Sequence, residues 1–516
     1  IQSCPARFFF FSRSTRSPQQ RTSSIAMKPF FRSTERCVRP SRIFYAAVVL
    51  SVVLWALVFH STSLQSGDAL QPPPDLCAGR YVYMYDLPPR FNADLARDCR
   101  RMSASTDMCR HVVNDGFGPP MTDGASLPER GAYATDQYML ELIFHARMRQ
   151  YECLTADPAA SAAVYVPFYA EFDLAMTIDN SDMSVRNALP RDLVDWLARR
   201  PEWRAMGGRD HFMLASRPTW DLLCDPNGGG YGNSLMSYPA IRNMTVLAWE
   251  ASPRHGNDFA VPYPSHFHPS TDGQVVAWQS RMRGQERQRL WCFAGGPRHE
   301  SRKTGRNQII EQCRRSSRCA LLGKEAATKQ PGLYTQGEYL PSHAMRLLES
   351  AEFCIQPRGD SYTRKSIFDT ILAGCIPVFL HPISAYVQYT WYLPRYYRTY
   401  SVFIPQRDVL DRNASIEEVL TKIPPAKVAQ MREEVIRLIP TVMYRDPAAK
   451  GMKIKDAFDI AVERVIGRVE KRRRAAAEGD REYQDSVDGY DSWKYDLLED
   501  GQKEIGPHEF DPYMFM

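Results

Sequence analysis

FCIQPRGDSYTRKSIFDTILAGCIPVFLHP, residues 353–382, is the stretch from which the architecture is read. Phe353–Ile355 is apolar and reads as a buried strand, and Ile376–Leu380 reads as a second one. Between them, Arg364–Ala373 has the apolar spacing of a helix, entered through the loop Gln356–Thr363. A strand, a helix and a second strand in so few residues make a parallel crossover. The loop carries Gly359, three hydroxyls and Arg358 just ahead of the helix. A helix N-terminus has unpaired amides and a positive partial charge, so the segment is a candidate anion site. Arg364 can grip phosphate oxygens with two parallel hydrogen bonds. Asp369, about one and a half turns on, is placed to accept from ribose hydroxyls. The alternative reading is an ordinary crossover with a solvated basic loop.

The same alternation continues outward on both sides. Arg80–Tyr85 is a strand, 136–149 places Met139, Leu142, Ile143 and Ala146 on one helical face, and Ala162–Tyr169 is a buried strand. Arg191–Arg199 and Arg209–Ala215 repeat the helix–strand pair. A polar connection around 270–288 follows, and then the pattern restarts with the strand Leu290–Phe293, the turn Gly295-Gly296-Pro297 and the helix Asn307–Arg315. Two successive α/β units predict two Rossmann-like lobes facing a cleft, an N-terminal one over 77–275 and a C-terminal one over 285–470. Residues 426–470 read as amphipathic helix closed by the basic run Lys471–Arg474, and 476–516 as an acidic, disordered tail.

The net charge of +6 is concentrated at one end. Residues 1–42 hold nine Arg/Lys against Glu35, a balance of +8, which leaves about −2 for the rest and no face for nucleic acid. Ile43–Phe59 contains no charged residue and reads as a transmembrane anchor at the short limit. Arg32, Arg36, Arg39 and Arg42 precede it, so the positive-inside rule places the N-terminus in the cytosol and the rest in a lumen. A cleaved signal peptide fits less well, because Trp55, Phe59 and His60 crowd the exit. Met27 is the expected start, with 1–26 excluded from the fold reading; 60–76 is a stem stiffened by Pro72–Pro74.

Ten of the twelve cysteines follow the anchor, where an oxidising lumen permits pairing of unknown connectivity. No C-x-x-C occurs, and Cys354 and Cys375 read as small buried apolar residues. The sequons at Asn243 and Asn413 fit a lumenal glycoprotein.

The 353–382 segment resembles the signature of the exostosin family, glycosyltransferase family 47, in its plant xyloglucan galactosyltransferase (KATAMARI/MURUS-type) branch. The segments YVYMYDLPPRFN (81–92), QYECLTADPAASAAVYVPFYAEFD (150–173), GGRDHFMLASRPTWD (207–221), NMTVLAWEASPRHGNDFAVPYPSHFHPS (243–270) and FAGGPR (293–298) are also similar, in the same order. The resemblance implies a GT-B fold, inversion at the anomeric carbon, and a Golgi type II membrane enzyme of cell-wall synthesis. Carried over by motif, Gly359, Asp360, Ser361, Arg364 and Asp369 would hold the diphosphate and ribose of a nucleotide sugar. Gly296 and Arg298 would approach the phosphates. The implied partners are a UDP-sugar donor, a polysaccharide acceptor and the Golgi membrane, compatible with homo- or hetero-complexes with other wall glycosyltransferases. Glu171 departs from the family pattern, which has a small residue there, so no essential role is carried over to it.

Inverting transfer needs a base for the acceptor hydroxyl and donors for the departing diphosphate. Glu250 follows the apolar run Val246–Trp249 and so ends a strand on the ligand-binding edge. It ranks first as the base, followed by Asp210 and His211. No Asp-x-Asp occurs anywhere, which points to transfer without metal or other cofactor. His266-Phe267-His268 lacks the partners of a zinc site and reads as loop packing. The competing functions are a family transferase with another donor (arabinose, galacturonic acid) or another wall glycan, and a non-catalytic glycan-binding or scaffolding membrane protein. The whole Gln356–Thr363 loop with Arg364 and Asp369 argues against the last.

Overall fold

The computed structural model describes residues 42–64, 75–121, 127–128, 130–226, 230–252, 256–299, 303–323, 341–480, 510 and 513. The N-terminal unit ends at Asp75, and its described residues include the helix Arg42–Leu64, which contains the apolar run expected as an anchor. Its side chains are described over 46–58, where Val48, Leu50, Leu54 and Trp55 are exposed. Among the described residues, no helix is long and apolar enough to cross a membrane. The expected basic tail and the Pro72–Pro74 stem lie outside the described residues.

In the second unit, Leu76–Met516, strands β1 (Val82–Met84), β2 (Leu154–Thr155), β3 (Ala163–Tyr165), β4 (His211–Pro218), β5 (Thr245–Glu250) and β6 (Asp258–Ala260) form one sheet. Its order is β2-β1-β3-β4-β5-β6, and every neighbouring pair is parallel. Strands β7 (Arg289–Ala294), β8 (Cys319–Leu322), β9 (Ala351–Gln356), β10 (Ile376–Phe379) and β11 (Val402–Phe403) form a second parallel sheet, ordered β11-β10-β9-β7-β8. Two parallel α/β sheets are what the alternating pattern predicts. The central strands β4, β5 and β10 are buried along nearly their whole length, which is why they read as continuous apolar runs.

The connection between the sheets is more ordered than its polar composition suggests. Asp272–Gly284 is a helix whose N-cap, Thr271, accepts a hydrogen bond from the Gln274 amide at 3.2 Å. Val275, Trp278 and Met282 make one buried stripe, and Trp278 Nε1 donates to Leu372 O at 2.9 Å. Three apolar positions spaced by three and four are enough to seat the helix, however polar the remainder.

The chain then returns to the first sheet. In the helix Ala457–Ala477, Phe458 packs on Phe144 at 4.7 Å, and buried Arg147 pairs with Asp456 and Asp459. The basic run sits inside this helix and stitches it down: Arg472 donates to Arg209 O at 2.7 Å, and Arg473 to Ser161 O at 2.9 Å. Of the tail expected to be disordered, Phe510 is buried against Tyr386, Tyr397 and Phe403, and Arg407 lies over the Tyr513 ring at 4.5 Å.

Among the described residues four disulfides form: Cys77–Cys153, Cys99–Cys109, Cys313–Cys319 and Cys354–Cys375. The reading of Cys354 and Cys375 as plain buried residues is therefore corrected. Both are buried, but β9 and β10 are parallel neighbours whose register brings the two Cα atoms within 6.0 Å, a pairing no local pattern discloses. Cys292 and Cys224 are free.

Burial leaves a testable signature at Asp173. Its carboxyl is enclosed without an ion pair among the described residues, and desolvation pushes it up to about 7. The native state then holds a proton that the unfolded chain releases near pH 4, so this group lowers stability as pH rises from about 4 to 7. The stability advantage of Asp173→Asn over the wild type should grow by about 2–4 kcal/mol between pH 5 and pH 8 in denaturant unfolding. A pH-independent difference would contradict this.

Candidate functional site

The site lies where the second sheet changes direction. From β7 the chain steps outward to β8 on one side, while β9, β10 and β11 run outward on the other. The loops leaving β7 and β9 therefore open side by side at the carboxyl edge, the position at which open α/β sheets bind ligands. FAGGPR supplies one loop and QPRGDSYT the other, and they meet: Arg298 Nη2 donates to Asp360 Oδ2 at 2.9 Å. Gly359 allows a close approach, because a Cβ there would come within 3.1 Å of Arg306 Nη2. A Cβ on Gly296 would project into open space on the cleft wall.

The helix Lys365–Leu372 begins at this point without a side-chain cap, its N-cap being Arg364. Its first amides face the same region, and Gln356 fixes the geometry behind them by accepting from Ser366 Oγ at 2.7 Å and donating to Thr370 Oγ1 at 2.8 Å. Arg306 opens a second helix, Arg306–Arg315, and is buried with Nε donating to Arg358 O at 3.2 Å. Burial, with Arg364 and Arg298 nearby, pushes its guanidinium down to about 9. Such a cluster of guanidiniums around one loop creates a strong demand for an anion. Arg306 was not singled out in the sequence; Gly305, left-handed at φ 74° just before an apolar period, was the available signal.

The expected bases occupy other places. Glu250 ends β5 as read, but it is fully buried and its two oxygens accept from Tyr362 N at 3.0 Å, Thr363 N at 2.9 Å and Thr363 Oγ1 at 2.6 Å. Burial raises its carboxyl to about 7 against these donors. Ser361 is next to the same clasp. Asp210 and His211 lie at the opposite end of the sheet: Phe212 pairs with Thr245 where β5 begins, whereas Glu250 ends it. At roughly 3.3 Å per residue, that is about 20 Å along the strand. His211 Nδ1 donates to Asp210 at 2.7 Å and Nε2 accepts from Tyr85 at 2.9 Å, in a buried network that Arg473 closes. The structure does not bring that pair to the cleft, because β4 starts with it and the site forms where β4 ends.

Other contacts close the seam between the lobes. Asp369 accepts from Ser265 Oγ at 2.6 Å and from Lys365 Nζ at 3.0 Å, and Lys365 also donates to His266 Nε2 at 2.7 Å. Burial raises the Asp369 carboxyl, but Lys365, His266 and the Ser265 hydroxyl together outweigh it and hold the group below the usual range. Burial, then Lys365, pushes His266 down to about 3, so its ring is neutral. Nδ1 donates to Tyr133 O at 3.0 Å, which leaves Nε2 as the acceptor. His268 is a packing residue as read, stacked on Phe117 at 3.8 Å, whereas His266 reaches the cleft wall, which the sequence reading missed. Glu171 is buried and paired with Arg217.

The resulting cleft has a volume of about 810 Å³. From the second lobe it is lined by Gly296, Arg298, Arg364, Lys365 and Asp369, and from the first by Thr135, Asp136, Gln137 and His266. A cavity of that size falls within the range of small-molecule binding sites.

The Exostosin GT47 domain model matches residues 76–420, which include both sheets and this cleft. The chain belongs to the exostosin family. Among curated exostosin-family relatives it is 48% identical over 441 residues to the Arabidopsis thaliana protein named xyloglucan galactosyltransferase MUR3, covering 85% of this chain and 70% of that one. It is 40% identical to probable xyloglucan galactosyltransferase GT12 of the same plant, covering 81% and 82%. It is 37% identical to xyloglucan-specific galacturonosyltransferase 1, covering 77% of this chain and 58% of that one.

Proposed function

We propose that this exostosin-family chain is a GT-B inverting glycosyltransferase that moves galactose from UDP-galactose to xylosyl side chains of xyloglucan. The observation that carries the reading is Arg298 and Arg364 beside an uncapped helix on the wall of a cleft between two parallel sheets, with Arg306 and Arg358 behind them around the same glycine loop. A diphosphate leaving group is the anion such a site stabilises, and 48% identity to a protein named as a xyloglucan galactosyltransferase supports the donor and acceptor. The 37% identity to a galacturonosyltransferase keeps a uronic acid donor as the second reading.

Glu250 in this account is a clasp that positions the donor loop. The donor set supports transfer without metal: of the carboxylates among the described residues lining the cleft, Asp369 is paired with Lys365, which leaves Asp136 short of a cation site. The four disulfides among the described residues and the exposed sequon at Asn413 support a lumenal protein of the Golgi. Incubating the purified protein with UDP-sugars and xyloglucan oligosaccharides, with and without EDTA, tests the whole reading. Galactose should transfer preferentially and at an unchanged rate in EDTA; dependence on Mn²⁺ would contradict the metal-free site.

A further inference from the structure

The transfer needs a group on the acceptor side to take the hydroxyl proton, and the residues first ranked for it are committed elsewhere. Glu250 has both oxygens on loop amides, Asp210 lies at the far edge of its sheet, and Glu171 is buried on Arg217. Among the described residues lining the cleft the carboxylates are Asp136 and Asp369, and Asp369 belongs to the second lobe and carries Lys365. Asp136 belongs to the first lobe and is half-buried. Its Oδ1 accepts from Tyr138 N at 2.9 Å as the cap of the turn Gln137–Met139 that leads into the helix Leu140–Arg149. Among the described residues no cation pairs with it, and Oδ2 has no hydrogen-bond partner there.

Resting on the proposed sugar transfer, we infer that Asp136 is the catalytic base, fixed through Oδ1 by its cap and presenting Oδ2 to the acceptor. As the acceptor oxygen forms its bond to the anomeric carbon, the bond from that carbon to the diphosphate oxygen breaks. The electron pair leaves on UDP toward Arg364 and the uncapped helix, and the hydroxyl proton passes to Oδ2. The cap supplies the rigidity: a base held by its own backbone needs no reorganisation when the acceptor arrives.

The same cap makes the test selective. Asn caps a helix as well as Asp does, so Asp136→Asn keeps the structural role and removes only the base. In the full-length protein in detergent, kcat for galactose transfer should fall by about 10²–10⁴. UDP affinity should stay within about twofold, and the unfolding temperature should not change. Hydrolysis of UDP-galactose by water, assayed without glycan, should fall in parallel, because water also surrenders a proton. Transfer within about threefold of wild type would overturn the assignment, as would lost transfer with intact hydrolysis, which would make Asp136 an acceptor-positioning residue. If wild type hydrolyses UDP-galactose but glycosylates no xyloglucan, the acceptor reading fails, and the hydrolysis ratio still judges Asp136.

Discussion

Arg364→Ala is expected to lower kcat/KM for UDP-galactose by roughly 10²–10³, about 2.7–4 kcal/mol of transition-state stabilisation. The residue stands at the N-cap position of the uncapped helix Lys365–Leu372 and lines the cleft, and it neighbours buried Arg306, so in the proposed transfer its guanidinium belongs to a preorganised field for the diphosphate. In the proposed metal-free transfer, charge builds on that diphosphate as the sugar leaves and the protein's own donors must meet it. Lys at this position should recover only part of the loss, because a point charge replaces a bidentate fork. Arg407→Ala, at the edge of the Tyr513 contact, is the control and should change kinetics little. Near wild-type kinetics in a folded Arg364→Ala protein would remove the donor-site assignment.

Glu250 is expected to behave as a structural clasp. Replacing it with Ala leaves the Tyr362 and Thr363 amides without an acceptor, at about 1–3 kcal/mol for a buried group left open, while the Thr363 hydroxyl keeps Tyr263. Glu250→Gln should also fail, since its amide nitrogen would face another donor at Tyr362 or Thr363. Both variants should unfold at lower temperature and bind UDP more weakly, because the loop that carries Gly359 to Thr363 loses its tie to the first lobe. If Glu250 were instead the base, Glu250→Gln would keep stability and UDP affinity and lose only turnover. Calorimetric unfolding together with UDP titration separates the two.

Much of this protein could be read from local pattern, and the failures have a common cause. The strands β3, β4, β9 and β10 and the helix Lys365–Leu372 were legible because each pairs its own period with a turn signal. Strands β2 and β11, two residues each, were not, because they exist only as additions to a neighbour's edge. The helix Asp272–Gly284 was hidden by a stripe of three apolar residues in a polar stretch. At the site, Gly296, Arg298, Arg364 and Asp369 line one cleft, and Asp360 accepts from Arg298 beside it. Glu250 was found as a strand end, but what its carboxylate touches depends on a loop more than a hundred residues later. Arg306 and Asp136 carry no motif; one becomes visible only when its burial is seen, the other only when the two lobes enclose it. Sequence reports periodicity and short-range chemistry well, whereas roles that require two distant segments to meet need the fold.

The most direct test of the central claim is product analysis after incubating the purified protein with UDP-galactose and xyloglucan oligosaccharides in EDTA. Mass spectrometry and the anomeric proton coupling in NMR would then report what was added, and in which configuration. One galactose joined to a xylosyl residue in the β configuration is the result this account predicts. An α-linked galactose, or transfer of uronic acid in preference to galactose when both donors are supplied, would contradict it.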